Sequence, residues 1–191
     1  MSDDTTSYIV VPFNPLPAEK GPDPTPESIL EQKQFIRDHI INKLNVELVK
    51  DQEAMLLLNQ LGSDLNINAF ACNFRYSDGR VNEDILEANW LNRYIFEELS
   101  VTDPDEDPLT IPFYLTSTVF AEKDYGNCAD EFKRRLGLKG KQDLFVLRNV
   151  VMSPFSTEYD FVADLAGEFK KVLEKGIEVK GQTLWDHNKV Y

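Results

Sequence analysis

The sequence predicts an α+β fold, with about four strands in one sheet and helices packed largely on one face. Two strand–turn–helix units carry that prediction, one over residues 65–99 and one over residues 143–173. Their strands are rich in apolar, β-branched and aromatic residues, as a covered sheet requires. The element order β, αα, β, α, β, α, β, α suits one mixed domain and shows no solenoid-type repeat.

Residues 8–13 (Tyr-Ile-Val-Val-Pro-Phe) form a short β-rich run. Pro12 removes a backbone donor, which places this strand at a sheet edge or ends it. Residues 15–26 contain five prolines and one glycine and read as a surface connector. Thr25 can cap a helix, Pro26 suits its first position, and Glu27 suits its positive end. Ile29, Ile36, Ile40 and Leu44 fall on one helical stripe, so a first helix is expected to reach Leu44. A second, starting at Val46 or Asp51, carries Ala54, Leu57, Leu58 and Leu61 and stops at Gly62.

In residues 65–75, Phe70, Cys72 and Phe74 alternate with Leu65, Ile67, Ala69 and Ala71, so both strand faces are mostly apolar. Ser77-Asp78-Gly79 is a turn. Asn82 is placed to cap the next helix, whose buried stripe is Ile85, Ala88, Asn92, Ile95 and Leu99, with one polar member. Residues 111–120 read as a strand, and residues 124–136 as a helix that stops at Gly137. Residues 144–152 are the strongest strand signal in the chain. Ser156 or Thr157 caps a last helix lined by Phe161, Leu165, Phe169 and Val172. From Gly176 the periodicity fails. The expected organisation is a disordered start over residues 1–7, a domain over residues 8–175, and a loose tail over residues 176–191.

The formal charge is −13, from 33 acidic and 20 basic side chains. This argues against nucleic acid, whose phosphates need clustered Lys and Arg, and less strongly against an anionic membrane surface. No apolar run approaches the ~20 residues of a membrane span, and residues 1–7 lack the parts of a signal peptide. The two cysteines, Cys72 and Cys128, form no zinc-type pattern. Residues 102–108 are acidic but lack the spacing of a calcium loop. The expectation is a cytoplasmic protein without a metal.

Arg75 and Arg148 each close a strand, and a guanidinium can grip a carboxylate through paired donors. They are the candidate ligand-binding residues, against the plainer reading that each pairs with a local acid or carbonyl. His39 reads as a packing residue, His187 lies in the expected tail, and Cys72 reads as a small core residue. Ser117 and Ser153 stand in no nucleophile context. Phe113, Tyr114, Phe120, Tyr125 and Phe132 read as core before they read as a ligand cage.

Three blocks carry a resemblance. The first is Asn68-Ala-Phe-Ala-Cys-Asn-Phe-Arg75, followed by Asp78-Gly79 and Val81-Asn82-Glu83. The second is Phe145-Val-Leu-Arg148, followed by an apolar strand and Thr157. The third is Ile9-Val-Val-Pro-Phe13 with Leu16-Pro-Ala-Glu19. In this order the chain resembles the carboxy-terminal small domain of group II pyridoxal-phosphate-dependent decarboxylases of the aromatic-amino-acid and tyrosine type. Residues 102–142 resemble an insertion found in fungal-type relatives. The resemblance implies a small domain of a fold-type I enzyme, a lyase family and a setting in amine or specialised-metabolite biosynthesis. It also implies that the cofactor lysine and its phosphate cradle belong to a large domain not found in this sequence. Asp186-His187-Asn188-Lys189 does not match that site, because His187 and Lys189 are not adjacent. The chain is therefore expected to have no catalytic or cofactor-binding residue of its own and to meet pyridoxal phosphate only through a partner chain. The expected partner is a large-domain decarboxylase or a second copy. The alternatives are a split subunit and a cofactor-free cyclase, isomerase or lyase with a pocket at Arg75 or Arg148.

Overall fold

A computed structural model describes residues 6–20, 24–61, 67–101, 105, 107–150 and 161–187. In chain order the elements are β1 (Tyr8–Pro12), α1 (Pro17–Lys20), α2 (Pro26–His39), α3 (Asn45–Leu48), α4 (Gln52–Leu61), β2 (Ile67–Phe74), α5 (Ile85–Glu98), β3 (Thr116–Phe120), α6 (Glu122–Tyr125), α7 (Asn127–Arg135), β4 (Leu144–Val150) and α8 (Phe161–His187). The chain divides into two compact units, one of residues 1–13, 67–152 and 160–191, the other of residues 14–66 and 153–159.

The first unit holds the four-stranded sheet, in the order β1-β2-β4-β3. Every neighbouring pair is antiparallel. The predicted α+β class with about four strands therefore holds. Alternation along the strands makes two apolar clusters. Ala71, Leu144, Val146 and Phe120 pack with Phe132 and Leu136 from α7 and its end. Cys72, Phe74, Phe145 and Leu147 pack with Leu91, Ile95 and Leu99 of α5 and Leu173 of α8. The predicted stripe Ile85, Ala88, Asn92, Ile95 and Leu99 is buried throughout.

Where local structure departs from the sequence reading, the cause is local. The expected strand over residues 111–120 begins only at Thr116, because residues 108–110 form a short 3-10 turn capped by Asp107. The expected helix over residues 124–136 is two helices, broken at Gly126, whose φ is +50°. The largest departure is at the carboxy end. Helix α8 continues to His187, where a loose tail was expected from Gly176. Gly176 is a close-approach residue, not a helix stop. A Cβ there would stand 2.8 Å from Tyr94 Cδ1 and 2.9 Å from Leu91 Cδ1, so its hydrogen lets α8 lie close on α5. Lys175 to Glu98 (2.8 Å) and Lys180 to Glu87 then tie the two helices, with Lys180 Nζ 4.9 Å from the Trp90 ring centre. The caps expected at Ser156 or Thr157, the stop at Gly62, and most of the expected disordered start lie outside the described residues.

The second unit holds α1 to α4. Thr25 caps α2 as expected, accepting from Ser28 N–H at 3.1 Å, and Pro26 opens the helix. The helix ends at His39 rather than Leu44, and Asn42 follows with φ +61°. Asp51 accepts from the Ala54 and Glu53 N–H groups at the start of α4.

Candidate functional site

The first of the blocks that gave the chain its likeness forms a buried polar clasp. Asn73 leaves β2 with its side chain fully buried, and Asn82, before α5, is buried against it. Asn73 Nδ2 donates to the Asn82 carbonyl at 2.7 Å and the Leu136 carbonyl at 2.8 Å. Asn82 Nδ2 donates to Asn73 Oδ1 at 3.0 Å and the Asp84 carbonyl at 2.9 Å. Asn82 Oδ1 accepts from Asp84 N–H (3.1 Å) and Tyr76 OH (3.2 Å). With Asn82 so engaged, the helix cap falls to Asp84, which accepts from Leu86 N–H. Every bond joins the end of β2, the 76–84 turn and the end of α7. Such buried amides are stable only when their partners are complete, and here they are.

The turn between them is built for closure. Gly79 takes φ +85° and donates its N–H to the Tyr76 carbonyl. Asp78 accepts from Arg80 N–H (3.0 Å) and Arg80 Nε (2.7 Å), and these donors hold its carboxyl below the usual carboxylate range. Gly137 closes the far side with φ +82°, and a Cβ there would meet Val81 Cγ1 at 2.7 Å. Glu83 binds Lys139 through its carboxylate at 2.8 Å, and its carbonyl accepts the Lys139 N–H at 2.9 Å.

A second pair of asparagines holds β2 against β4. The β2–β4 ladder runs from Ile67↔Val150 to Phe70↔Leu147 and stops. Beyond it, α5 supplies the missing partners. Asn92 accepts from Cys72 N–H at 2.8 Å and donates to the Cys72 carbonyl at 2.8 Å. Asn89 accepts from Phe145 N–H at 2.7 Å and donates to the Asp143 carbonyl at 2.8 Å. Two side-chain amides thus stand in for ladder partners where the strands separate. Asn92 was visible in the sequence as the polar member of an apolar stripe. Asn89 was missed, and its position three residues earlier was the available signal.

Arg75 and Arg148 are not brought together. Arg148 pairs across the ladder with Ala69, and Arg75 lies six positions beyond Ala69, on the order of 20 Å along the strand. Antiparallel pairing puts the ends of consecutive strands at opposite ends of the sheet. Arg75 is held at the clasp, bridging Val81 and donating its N–H to the Ser7 carbonyl at 2.8 Å.

The other polar candidates are internally engaged. In the second unit, His39 stacks on Phe35 with ring centres 4.3 Å apart, and its Nδ1 lies 3.0 Å from Asp51 Oδ2. The Ala54 N–H and then the His39 contact hold the Asp51 carboxyl below its ordinary range. Lys133 in α7 is 2% exposed, with Asp130 Oδ1 3.2 Å from its Nζ, an ion pair whose angle does not suit a hydrogen bond. Phe120 and Tyr125 stack at 4.1 Å, and Phe13 and Phe132 pack edge-on around them, so these rings fill one another rather than caging a ligand. Ser153 and Lys189 lie outside the described residues, as does the side chain of His187.

Cys72 is fully buried, and burial pushes its thiol well above the ordinary range, while Cys128 is exposed. The native protein is expected to react with one equivalent of a thiol-specific disulfide reagent and the urea-unfolded protein with two. Modification of Cys72 at the rate of Cys128 in the native state would show that the strand core opens readily.

Among the described residues, no group of three or more His, Cys, Asp or Glu stands close enough to hold a metal, and no helix is long and apolar enough to cross a membrane. Comparison with known families adds one match: a family model described as tyrosine decarboxylase, C-terminal, fits residues 37–177. No curated protein matches the chain.

Proposed function

Because this chain belongs to the family of tyrosine decarboxylase C-terminal domains, we propose that it serves as the small module of a decarboxylase-type assembly and does not decarboxylate alone. One observation carries this reading. The residues that carry the likeness, Asn73, Asn82 and Glu83, are engaged in holding the fold, and their polar atoms face one another, backbone groups, the Tyr76 hydroxyl and the Lys139 ammonium. The described residues do not fit pyridoxal phosphate. A cofactor imine needs an enclosed amine that is free to react, yet the two most enclosed lysines with a described ion pair are engaged, Lys133 buried against Asp130 and Lys180 paired with Glu87 over Trp90, and Lys139, Lys141, Lys171 and Lys175 stand out in solvent.

On this reading a large domain supplies the cofactor, and the chain supplies a rigid wall that docks against it. The module is accessory to a carboxy-lyase reaction in amine or specialised-metabolite biosynthesis. The test is reconstitution. The purified chain is mixed with a tyrosine decarboxylase whose own small domain has been removed. Co-elution on a sizing column and a gain in carbon dioxide release from L-tyrosine are expected in the mixture. Separate elution with no change in activity would remove the docking role.

A further inference from the structure

The turn that closes the clasp contains the chain's single Asp-Gly step, Asp78-Gly79. An aspartate before a glycine is open to attack on its side chain by its own backbone, because glycine leaves the amide nitrogen uncrowded. Both residues are exposed, and no atom of the described residues lies within 4 Å of where a Gly79 Cβ would stand. The reaction is internal to the chain and needs only water. Gly79 N attacks Cγ of the protonated Asp78 carboxyl, the amide proton and the carboxyl OH leave as water, and a cyclic succinimide forms. Water then reopens the ring at one of its two carbonyls. Opening at Cγ restores aspartate. Opening at the backbone carbonyl leaves the chain running through Cβ and Cγ, with the former backbone carbonyl as a free carboxylate. The water lost in the first step is regained in the second.

Two sets of contacts restrain this reaction while the turn is closed. Arg80 engages both carboxyl oxygens of Asp78, its N–H donating to Oδ1 at 3.0 Å and its Nε–H to Oδ2 at 2.7 Å. These donors favour the ionised carboxyl, which is the unreactive form. The Gly79 N–H, whose proton the reaction must remove, donates to the Tyr76 carbonyl at 2.9 Å. We propose that Asp78-Gly79 is an isomerisation site that Arg80 holds in check, and that its reaction unlocks the clasp. Isomerisation lengthens the backbone by a methylene between Tyr76 and Arg80. That stretch is closed by the bond from Tyr76 N–H to the Arg80 carbonyl at 2.8 Å and by the Arg75–Val81 bridge. Its register sets Asn82 against Asn73, so the added length pulls the two buried amides apart. The inference rests on the geometry of the turn and stands or falls apart from the module reading.

The test is ageing at physiological temperature and neutral pH. Isoaspartate is counted by enzymatic methylation of its free carboxylate and located by mass spectrometry with electron-transfer fragmentation. Arg80→Ala is expected to form isoaspartate at position 78 severalfold faster than the parent. Asp78→Glu is expected to form no isomer there, because its ring is larger and slower to close. The parent supplies a second arm: unfolded in urea, with both restraints gone, it is expected to react severalfold faster than when folded. In aged Arg80→Ala, hydrogen exchange is then read separately on isomerised and unreacted chains, which differ in chromatographic retention. Residues 76–84 are expected to exchange faster in the isomerised chains. A rate in folded Arg80→Ala equal to that of the folded parent would overturn the restraint by Arg80. Equal rates in the folded and unfolded parent would overturn it as well. Unchanged exchange of residues 76–84 after isomerisation would overturn the unlocking of the clasp.

Discussion

Asn92→Leu is expected to lower the unfolding free energy by about 4 kcal/mol, since each buried backbone group left unsatisfied costs ~1–3 kcal/mol. The substitution keeps the branching of the side chain and removes both bonds to the Cys72 peptide group, along with the bond from Asn92 Nδ2 to the Ala88 carbonyl. No strand stands ready to replace them, because the β2–β4 ladder has already ended at Phe70↔Leu147. A loss of this size is a large fraction of the ~5–15 kcal/mol that holds a domain together. Urea unfolding followed by tryptophan fluorescence measures it, since Trp90 lies on the same helix. A shift below about 1 kcal/mol would mean that water or a moved strand satisfies Cys72, and the bridging role of α5 would be lost.

Breaking the clasp should cost nearly as much. Asn82→Ala removes two donated and two accepted bonds at a fully buried position, and about 3 kcal/mol is expected. Asn73→Ala strips the Leu136 and Asn82 carbonyls of their donor, with a similar cost. The pair shares a direct amide–amide bond at 3.0 Å, so the double variant should be less damaged than the sum, with a coupling of ~1–3 kcal/mol. Hydrogen exchange should report faster opening of the 76–84 turn in either variant. Strict additivity would show that the two amides act through separate neighbours.

These two networks explain what the sequence could and could not reveal. The apolar alternation around Cys72 and the stripe from Ile85 to Leu99 follow from strand and helix periods, and both were readable. The Asn92 exception was readable as an anomaly, but its meaning was not, because its partner lies twenty residues away on another element. Gly176 was misread for a related reason. The apolar periodicity fails from that residue, and only the packing of Leu91 and Tyr94 shows that the glycine permits contact. The separation of Arg75 from Arg148 was not legible either. Arg75 and Arg148 both close strands, and whether strand ends meet depends on whether the strands run parallel, which composition does not decide.

The first of the resemblance blocks thus reads as architecture: its Asn73 and Asn82 lock a turn, where an enzyme reader would look for chemistry.

The claim that the chain supplies a framework and no electron sink is tested most directly by trapping. The purified protein is incubated with pyridoxal phosphate and L-tyrosine, reduced with borohydride, and digested for mass spectrometry, with released carbon dioxide measured in parallel. Only scattered, substoichiometric labelling of surface lysines and no carbon dioxide above the protein-free control are expected. Stoichiometric labelling of one lysine together with carbon dioxide release would contradict the account.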